Sequence, residues 1–211
     1  LHLSTARELE LFEPGPISEK SITAEVCTHH LWFAQSRYKD LGSLIKCNPA
    51  IKSSVDRDGL MRGVCDDLID VIATDHAPHT LDEKKQTYFK APAGLPLVQH
   101  SLQVLLQFYH EERLSLERIV QKSAHNPALL FQIAERGFVR EGYFADLVVV
   151  DLCKPQQITP ESLIYKCGWS PFEGERFSSS IHMTILNGDV VFREGVSTEE
   201  PKGRRLEFKK L

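Results

Sequence analysis

The chain has 211 residues, 42% hydrophobic and 26% charged, with a formal net charge of −4. That balance points to a globular chain with neither nucleic acid nor a membrane surface as partner. No apolar run reaches the ~18 residues needed to span a bilayer. The five cysteines, Cys27, Cys47, Cys65, Cys153 and Cys167, are odd in number and form no CxxC pair. They fit reduced thiols in the cytoplasm better than a disulfide framework, and no signal peptide is visible.

The opening "LHLSTAREL" has no initiator methionine. Its apolar start, followed at once by a helix, reads as a longer protein cut inside an element. "STARELELF" predicts a short helix, with Thr5 and Glu8 spaced as a capping box, and "EPGP" stops it. "SITAEVCTHHLWF" begins with β-formers. "RDGLMRGVCDDLI" has Leu60, Val64 and Leu68 at helical spacing. "DVIAT" is a short apolar run of the kind found in a buried parallel strand. "PLVQHSLQVLLQFYHEE" predicts an amphipathic helix with Val98, Leu102, Leu105, Leu106 and Tyr109 on one face. In "HNPALLFQIA", Asn126 is expected as N-cap and Pro127 in the first helical turn. This alternation is the grammar of a parallel sheet covered by helices. After about residue 136 it changes to strands and turns, in "GFVREGYFADLVVVDL" and "IHMTILNGDVVFREG", where "NGD" signals a hairpin. A smaller all-β module is expected there. The basic end, "PKGRRLEFKKL", is expected to be a solvated tail.

Polar groups at the C-terminal ends of parallel strands usually form the active site of an α/β fold. Asp75 closes the run Val71-Ile72-Ala73-Thr74, so it is a metal ligand, a general base or a helix cap. His76 and His79 follow within four residues, and carboxylate with imidazole is ligand chemistry that suits zinc. His2, in Leu1-His2-Leu3, occupies a similar strand end; alone it would read as a core histidine, and beside Asp75 it gains weight as a ligand. Asn48 precedes Pro49, a turn signal, or an amide facing a substrate amide. His29 and His30 in "THHLWF" read as structural.

Taken in order, "HLSTA", "AEVCTHHL", "KCNPAIK", "IATDHAPHTLDEK", "APAGLP" and "GYFADLVVVD" resemble the dihydroorotase family of metal-dependent cyclic amidohydrolases. "TDHAPH" and the Asn-Pro step distinguish that family from hydantoinases, dihydropyrimidinases and allantoinases. Those typically carry serine where Asn48 stands and lack a histidine matching His79. The resemblance implies the C-terminal part of a (β/α)8 barrel over residues 1–135. Residues 136–211 would add strands of a small β-sandwich domain and the tail.

The resemblance also implies reversible hydrolysis of dihydroorotate to N-carbamoyl-L-aspartate, in pyrimidine biosynthesis, with one or two Zn2+ per site. His2 would bind the more buried zinc. Asp75 would bind the other and act as general base, then acid. Asn48 would hydrogen-bond the ring, and His79 with the backbone at Ala93 and Gly94 would hold the substrate carboxylate. The remaining ligands of the family pattern, an HxH pair, a carboxylated lysine or aspartate and another histidine, would lie upstream of Leu1. The expected partners are therefore a small-molecule substrate, the N-terminal half of the same protein, and a second copy in a homodimer. "PAGLPLVQHSL" departs from the family's usual "PFGIVGLETAL", and Ala93 and Pro96 would reshape the carboxylate pocket. Two other readings are a hydantoinase-like enzyme and a non-catalytic dihydroorotase-like structural partner.

Overall fold

The computed structural model describes residues 2–198, 200 and 203–209. Leu1 of the first expected strand, and Pro201, Lys202, Lys210 and Leu211 of the expected tail, lie outside the described residues. Three parallel segments organise the first part. His2 bridges Glu25, and the Leu3 N–H donates to the Glu25 carbonyl at 2.9 Å. Strand β1 (Glu25–Cys27) then pairs in parallel with β2 (Val71–Ala73), with Glu25 opposite Val71 and Cys27 opposite Ala73. The class is α/β, as expected.

Helices close one face of these strands. The first element, Ala6–Leu11, is a 3-10 helix, and its Glu8 carboxylate accepts the Thr5 N–H at 2.7 Å, as the capping pattern predicts. Short helices α1 (Thr28–Trp32) and α2 (Tyr38–Leu41) follow. Helix α3 (Ser54–Cys65) starts at Ser53, whose hydroxyl accepts the Asp56 N–H at 3.1 Å. It presents Gly59 to Ala6, where an added Cβ would lie 2.4 Å from the alanine methyl, so only glycine permits this approach. Helix α4 (Leu81–Lys84) is capped by Thr80, and α5 is Ser101–His110. Leu105 and Leu106 are buried on α5, and Leu102 and Tyr109 pack against the core, as expected. Val98 does not join them: it precedes the first helical turn and is 58% exposed.

Asn126 is not an N-cap. Helix α6 (Leu116–Val120) is capped by Ser115 and runs through a π turn, Gln121–His125, into α7 (Asn126–Leu130). Asn126 is therefore interior, with helical φ −63 and ψ −43, and its amide donates to the Asp70 carbonyl at 2.7 Å. A π turn shifts the backbone ladder, here just before a proline that has no N–H to contribute. Asp67 receives Arg118 and Lys122 from the same helix, the lysine at 2.7 Å.

The later strands are β3 (Leu147–Asp151), β4 (Gln156–Gln157), β5 (Arg176–Phe177), β6 (Ser180–Leu186), β7 (Asp189–Arg193) and β8 (Val196–Ser197). An antiparallel sheet has the order β3-β6-β7-β8, and β4 pairs with β5. The β6–β7 hairpin turns at Asn187 and Gly188, both at positive φ (54 and 92), as its sequence predicts. The segment carrying β4 and β5 crosses the expected division at residue 136. Ile158, Phe172 and Phe177 join Leu31, Phe33 and Phe108 in the core of the α/β part, because β3 hands the chain back to it. The tail is also more than a solvated end. Its side chains over 203–209 are exposed, yet its backbone pairs with 132–134 through Ala134 N–H to Glu207 (2.8 Å) and Lys209 N–H to Gln132 (2.8 Å). No helix among the described residues is long and apolar enough to cross a membrane.

Candidate active site

The strand ends bring His2 and Asp75 together. Asp75 follows β2 in a left-handed conformation, φ 47, which aspartate tolerates better than most residues. It is not a helix cap. The next helix is α4, and Thr80 caps it by accepting the Glu83 N–H at 3.3 Å. His2 Nε2 lies 3.5 Å from Asp75 Oδ1. Across the first parallel bridge, His2 Nδ1 forms a short hydrogen bond with the Glu25 carboxylate, and the Cys27 Sγ lies 3.2 Å from the same nitrogen. Glu25 thus takes the Nδ1–H and leaves the Nε2 lone pair facing Asp75. A carboxylate behind a histidine in this way sets the tautomer that a metal requires.

At 3.5 Å, His2 Nε2 and Asp75 Oδ1 bring one expected ligand of each of the two zinc ions to the same strand ends. Among the described residues the tight metal-capable groups are His2–Glu25–Cys27 and Cys27–His29–His30, each with ligand atoms within 4.8 Å. Asp75 belongs to neither. In the first of them His2 Nδ1 is already spent on Glu25. Burial, with Glu25 and Asp75 nearby, pushes the Cys27 thiol far above its usual range, which a bound cation would reverse. His29 is held neutral by burial, and His30 is pushed down to about 4 by burial, with its Nε2–H on the Pro49 carbonyl at 2.9 Å. Both side chains are buried.

A second group of residues surrounds His79. Its Nε2–H donates to the Ala93 carbonyl at 3.1 Å, and its own carbonyl accepts the Trp169 indole N–H at 2.8 Å. Gly94 sits at φ 136, and an added Cβ would lie 2.4 Å from the Ala77 carbonyl and 3.2 Å from the His79 ring. Only glycine lets that loop reach the histidine turn. The Gly94 N–H donates to the Lys46 carbonyl at 2.9 Å, which joins the Asn48 turn to the same place. Asn48 itself is exposed, and Pro96 is buried. His76 has a different task. Its Nδ1 accepts the Leu97 and Val98 N–H groups at 3.0 and 3.3 Å, and its ring stacks on Tyr165.

Glu25, Lys84 and Trp169 escaped the sequence reading. Glu25 had a faint signal, a charge inside a β-forming run. Lys84 and Trp169 had none, since their partners lie in other segments.

The sequence profile of the amidohydrolase family matches residues 16–191. The chain belongs to the amidohydrolase family. Within it, the chain is similar to proteins named dihydroorotase. That of Pyrococcus furiosus is 36% identical over 205 residues, or 97% of this chain and 47% of the relative. That of Halobacterium salinarum is 38% identical, over 97% of this chain and 47% of the relative. The chain thus spans about half the length of the curated relatives it matches. Among solved structures, the L-hydantoinase (dihydropyrimidinase) of Arthrobacter aurescens superposes with a TM-score of 0.86 at 26% identity, over 94% of this chain and 45% of that one. A D-hydantoinase from a Thermus species gives 0.83 at 21% identity, over 94% and 45%, a likeness of fold alone.

Proposed function

We propose that this chain is the C-terminal part of a zinc-dependent dihydroorotase. The observation that carries the reading is the turn Asp75–His79. It sets a carboxylate against His2 at one end and a histidine against Ala93–Gly94 at the other. That is a metal position and an anion position within one turn. Bound zinc, held by His2, Asp75 and ligands from the N-terminal half, would supply water activated to a pKa of about 7 and polarise the ring carbonyl. Asp75 takes the proton from the attacking water and returns it to the leaving ring nitrogen. A carboxylate so placed contributes ~10²–10⁴-fold. Asn48 hydrogen-bonds the ring amides. His79 holds the exocyclic carboxylate. Its Nε2 is spent on the Ala93 carbonyl, so Nδ1 is the ring nitrogen that faces the substrate carboxylate.

The N-terminal half of the protein is the proposed partner that completes a barrel. Among the described residues, β1 is the central strand, and the His2 segment and β2 are each paired only with it. An open cavity of about 510 Å³ is lined by His2, Ala24, Glu25, Val71, Leu130 and Phe131. Unpaired edges and exposed apolar surface are what a missing neighbour covers. The antiparallel sheet β3-β6-β7-β8 is proposed as part of the small β-sandwich domain, with exposed Val148 and Val149 leaving apolar surface on opposite faces of β3. A cytoplasmic homodimer is the proposed form.

A second reading, a hydantoinase-like enzyme, draws on the superposition with L-hydantoinase. Dihydroorotate carries a carboxylate that dihydrouracil lacks, so the two substrates separate the readings. In the full-length protein, His79→Ala is expected to lower kcat/KM for dihydroorotate by ~10- to 150-fold, since a charge-assisted hydrogen bond is worth about 1.5–3 kcal/mol. Dihydrouracil should lose little. An unchanged ratio of the two favours the hydantoinase-like reading. Absence of turnover in a protein with bound zinc favours a structural role.

A further inference from the structure

We infer that Lys84 is a positioning residue that clamps the two substrate-binding segments together and so selects for an anionic substrate. The inference rests on the reading above of where the substrate carboxylate binds. Lys84 is fully buried at the end of α4. Its ammonium donates to the carbonyls of Lys46 at 3.0 Å, Pro92 at 3.0 Å and Gly94 at 2.8 Å. A lysine ammonium has three donors, and all three are used. Two of the acceptors flank Ala93, whose carbonyl holds the His79 ring. The third belongs to the turn that carries Asn48. The clamp therefore ties together the loop behind the carboxylate position and the loop facing the ring amides. Gly94 N–H to the Lys46 carbonyl at 2.9 Å closes the same circuit from the other side.

Buried charges are ordinarily paired with an opposite charge. Among the described residues Lys84 has no carboxylate partner; the acidic residues of its helix, Asp82 and Glu83, are exposed. The ionisable groups that act on its charge are the Cys47 thiol, which burial pushes up to about 12 and so keeps neutral, and another cation, Lys46. Burial in turn pulls Lys84 down to about 8, so it remains charged at neutral pH. A cation held by three carbonyl dipoles, one hydrogen bond from the peptide that lines an anion position, has a task that a plain core residue would not need. An apolar side chain of similar length would pack without this desolvation. The cation instead pins the Pro92 and Gly94 carbonyls, which have no other donor among the described hydrogen bonds, ties them to the Lys46 carbonyl, and its field favours a negative ligand beside Ala93 and Gly94.

The test uses the full-length protein with Lys84→Met, which keeps most of the volume and removes the donors, and Lys84→Gln, which keeps one shorter donor. Three quantities are read: amide hydrogen exchange at Gly94, steady-state kinetics on dihydroorotate and dihydrouracil, and zinc content. In Lys84→Met, exchange at Gly94 should rise by at least 10-fold. KM for dihydroorotate should rise about 10-fold or more, with kcat within about 3-fold and zinc content unchanged. Lys84→Gln should fall between wild type and Lys84→Met and serves if the latter does not fold. Unchanged exchange at Gly94 overturns the clamp. Raised exchange with an unchanged KM for dihydroorotate overturns its role in substrate binding. A wild-type protein with bound zinc and no turnover of dihydroorotate would instead sink the proposed function. The clamp would then stand or fall on the exchange result.

Discussion

Gly94→Ala places one methyl group where the structure leaves no room. At φ 136, a side chain costs of order 1–3 kcal/mol in backbone strain. The new Cβ would also lie 2.4 Å from the Ala77 carbonyl oxygen and 2.9 Å from the Ala77 Cβ, against preferred carbon separations of about 3.5–4.0 Å. The neighbouring atoms are backbone and a methyl group, which cannot swing aside as a long side chain would, so the loop must retreat. Retreat breaks the Gly94 N–H bond to Lys46 and the Lys84 bond to the Gly94 carbonyl. These are worth about 0.5–1.5 and about 1.5–3 kcal/mol respectively, the second being charge-assisted. The expected loss of stability is roughly 3–7 kcal/mol, a large part of the ~5–15 kcal/mol that holds a domain folded. Urea unfolding of the full-length variant reads the loss directly. Gly42→Ala is the control: it too has positive φ, 49, but nothing within 4 Å of an added Cβ, so it should cost only the backbone strain, about 1–3 kcal/mol. If the two variants lie within 1 kcal/mol of one another (roughly the spread of context-dependent values), the packing of Gly94 against Ala77 is not as described.

Metal content should separate His2 from Asp75. His2→Ala should lower bound zinc first, and Glu25→Gln should weaken zinc binding by ~10- to 100-fold through the His2 ring. Asp75→Asn should cut turnover by orders of magnitude with less effect on zinc; wild-type zinc in His2→Ala would remove His2 from the ligand set. Acid sensitivity should trace in part to His100, which burial pushes down to about 4 from 6.5. Between those values the unfolded chain binds the extra proton. The stabilisation is therefore complete above pH 6.5 and decays as pH falls towards 4, by about 3 kcal/mol. Urea midpoints measured across that range should flatten in His100→Leu, and an identical slope would refute the assignment.

Local order was legible wherever neighbours along the chain decide it. The Thr5–Glu8 pattern, the Asn187-Gly188 turn and the run Val71–Ala73 all behave as their spacing predicts. Misreadings arose where a distant segment intervened. Asn126 looks like a cap until Ser115 is seen to start the helix earlier. Gln156–Phe177 reads as part of a β module, yet its aromatic residues fill the core between α1 and α5. The closing segment looks solvated because its side chains are, while its backbone pairs with Gln132–Ala134.

The candidate site divides in the same way. His2, Asp75 and His79 were legible because strand ends and a histidine-rich turn leave a pattern in one dimension. The partners that give them their chemistry lie elsewhere in the chain. Glu25 orients His2 from the adjacent strand, and Gly94 admits the loop against Ala77. Lys84 joins carbonyls from two segments that are 48 residues apart at their extremes, at Lys46 and Gly94. A sequence states which donors and acceptors are present. Only burial leaves a particular pair with no alternative partner, because water, which would satisfy either group separately, is excluded there.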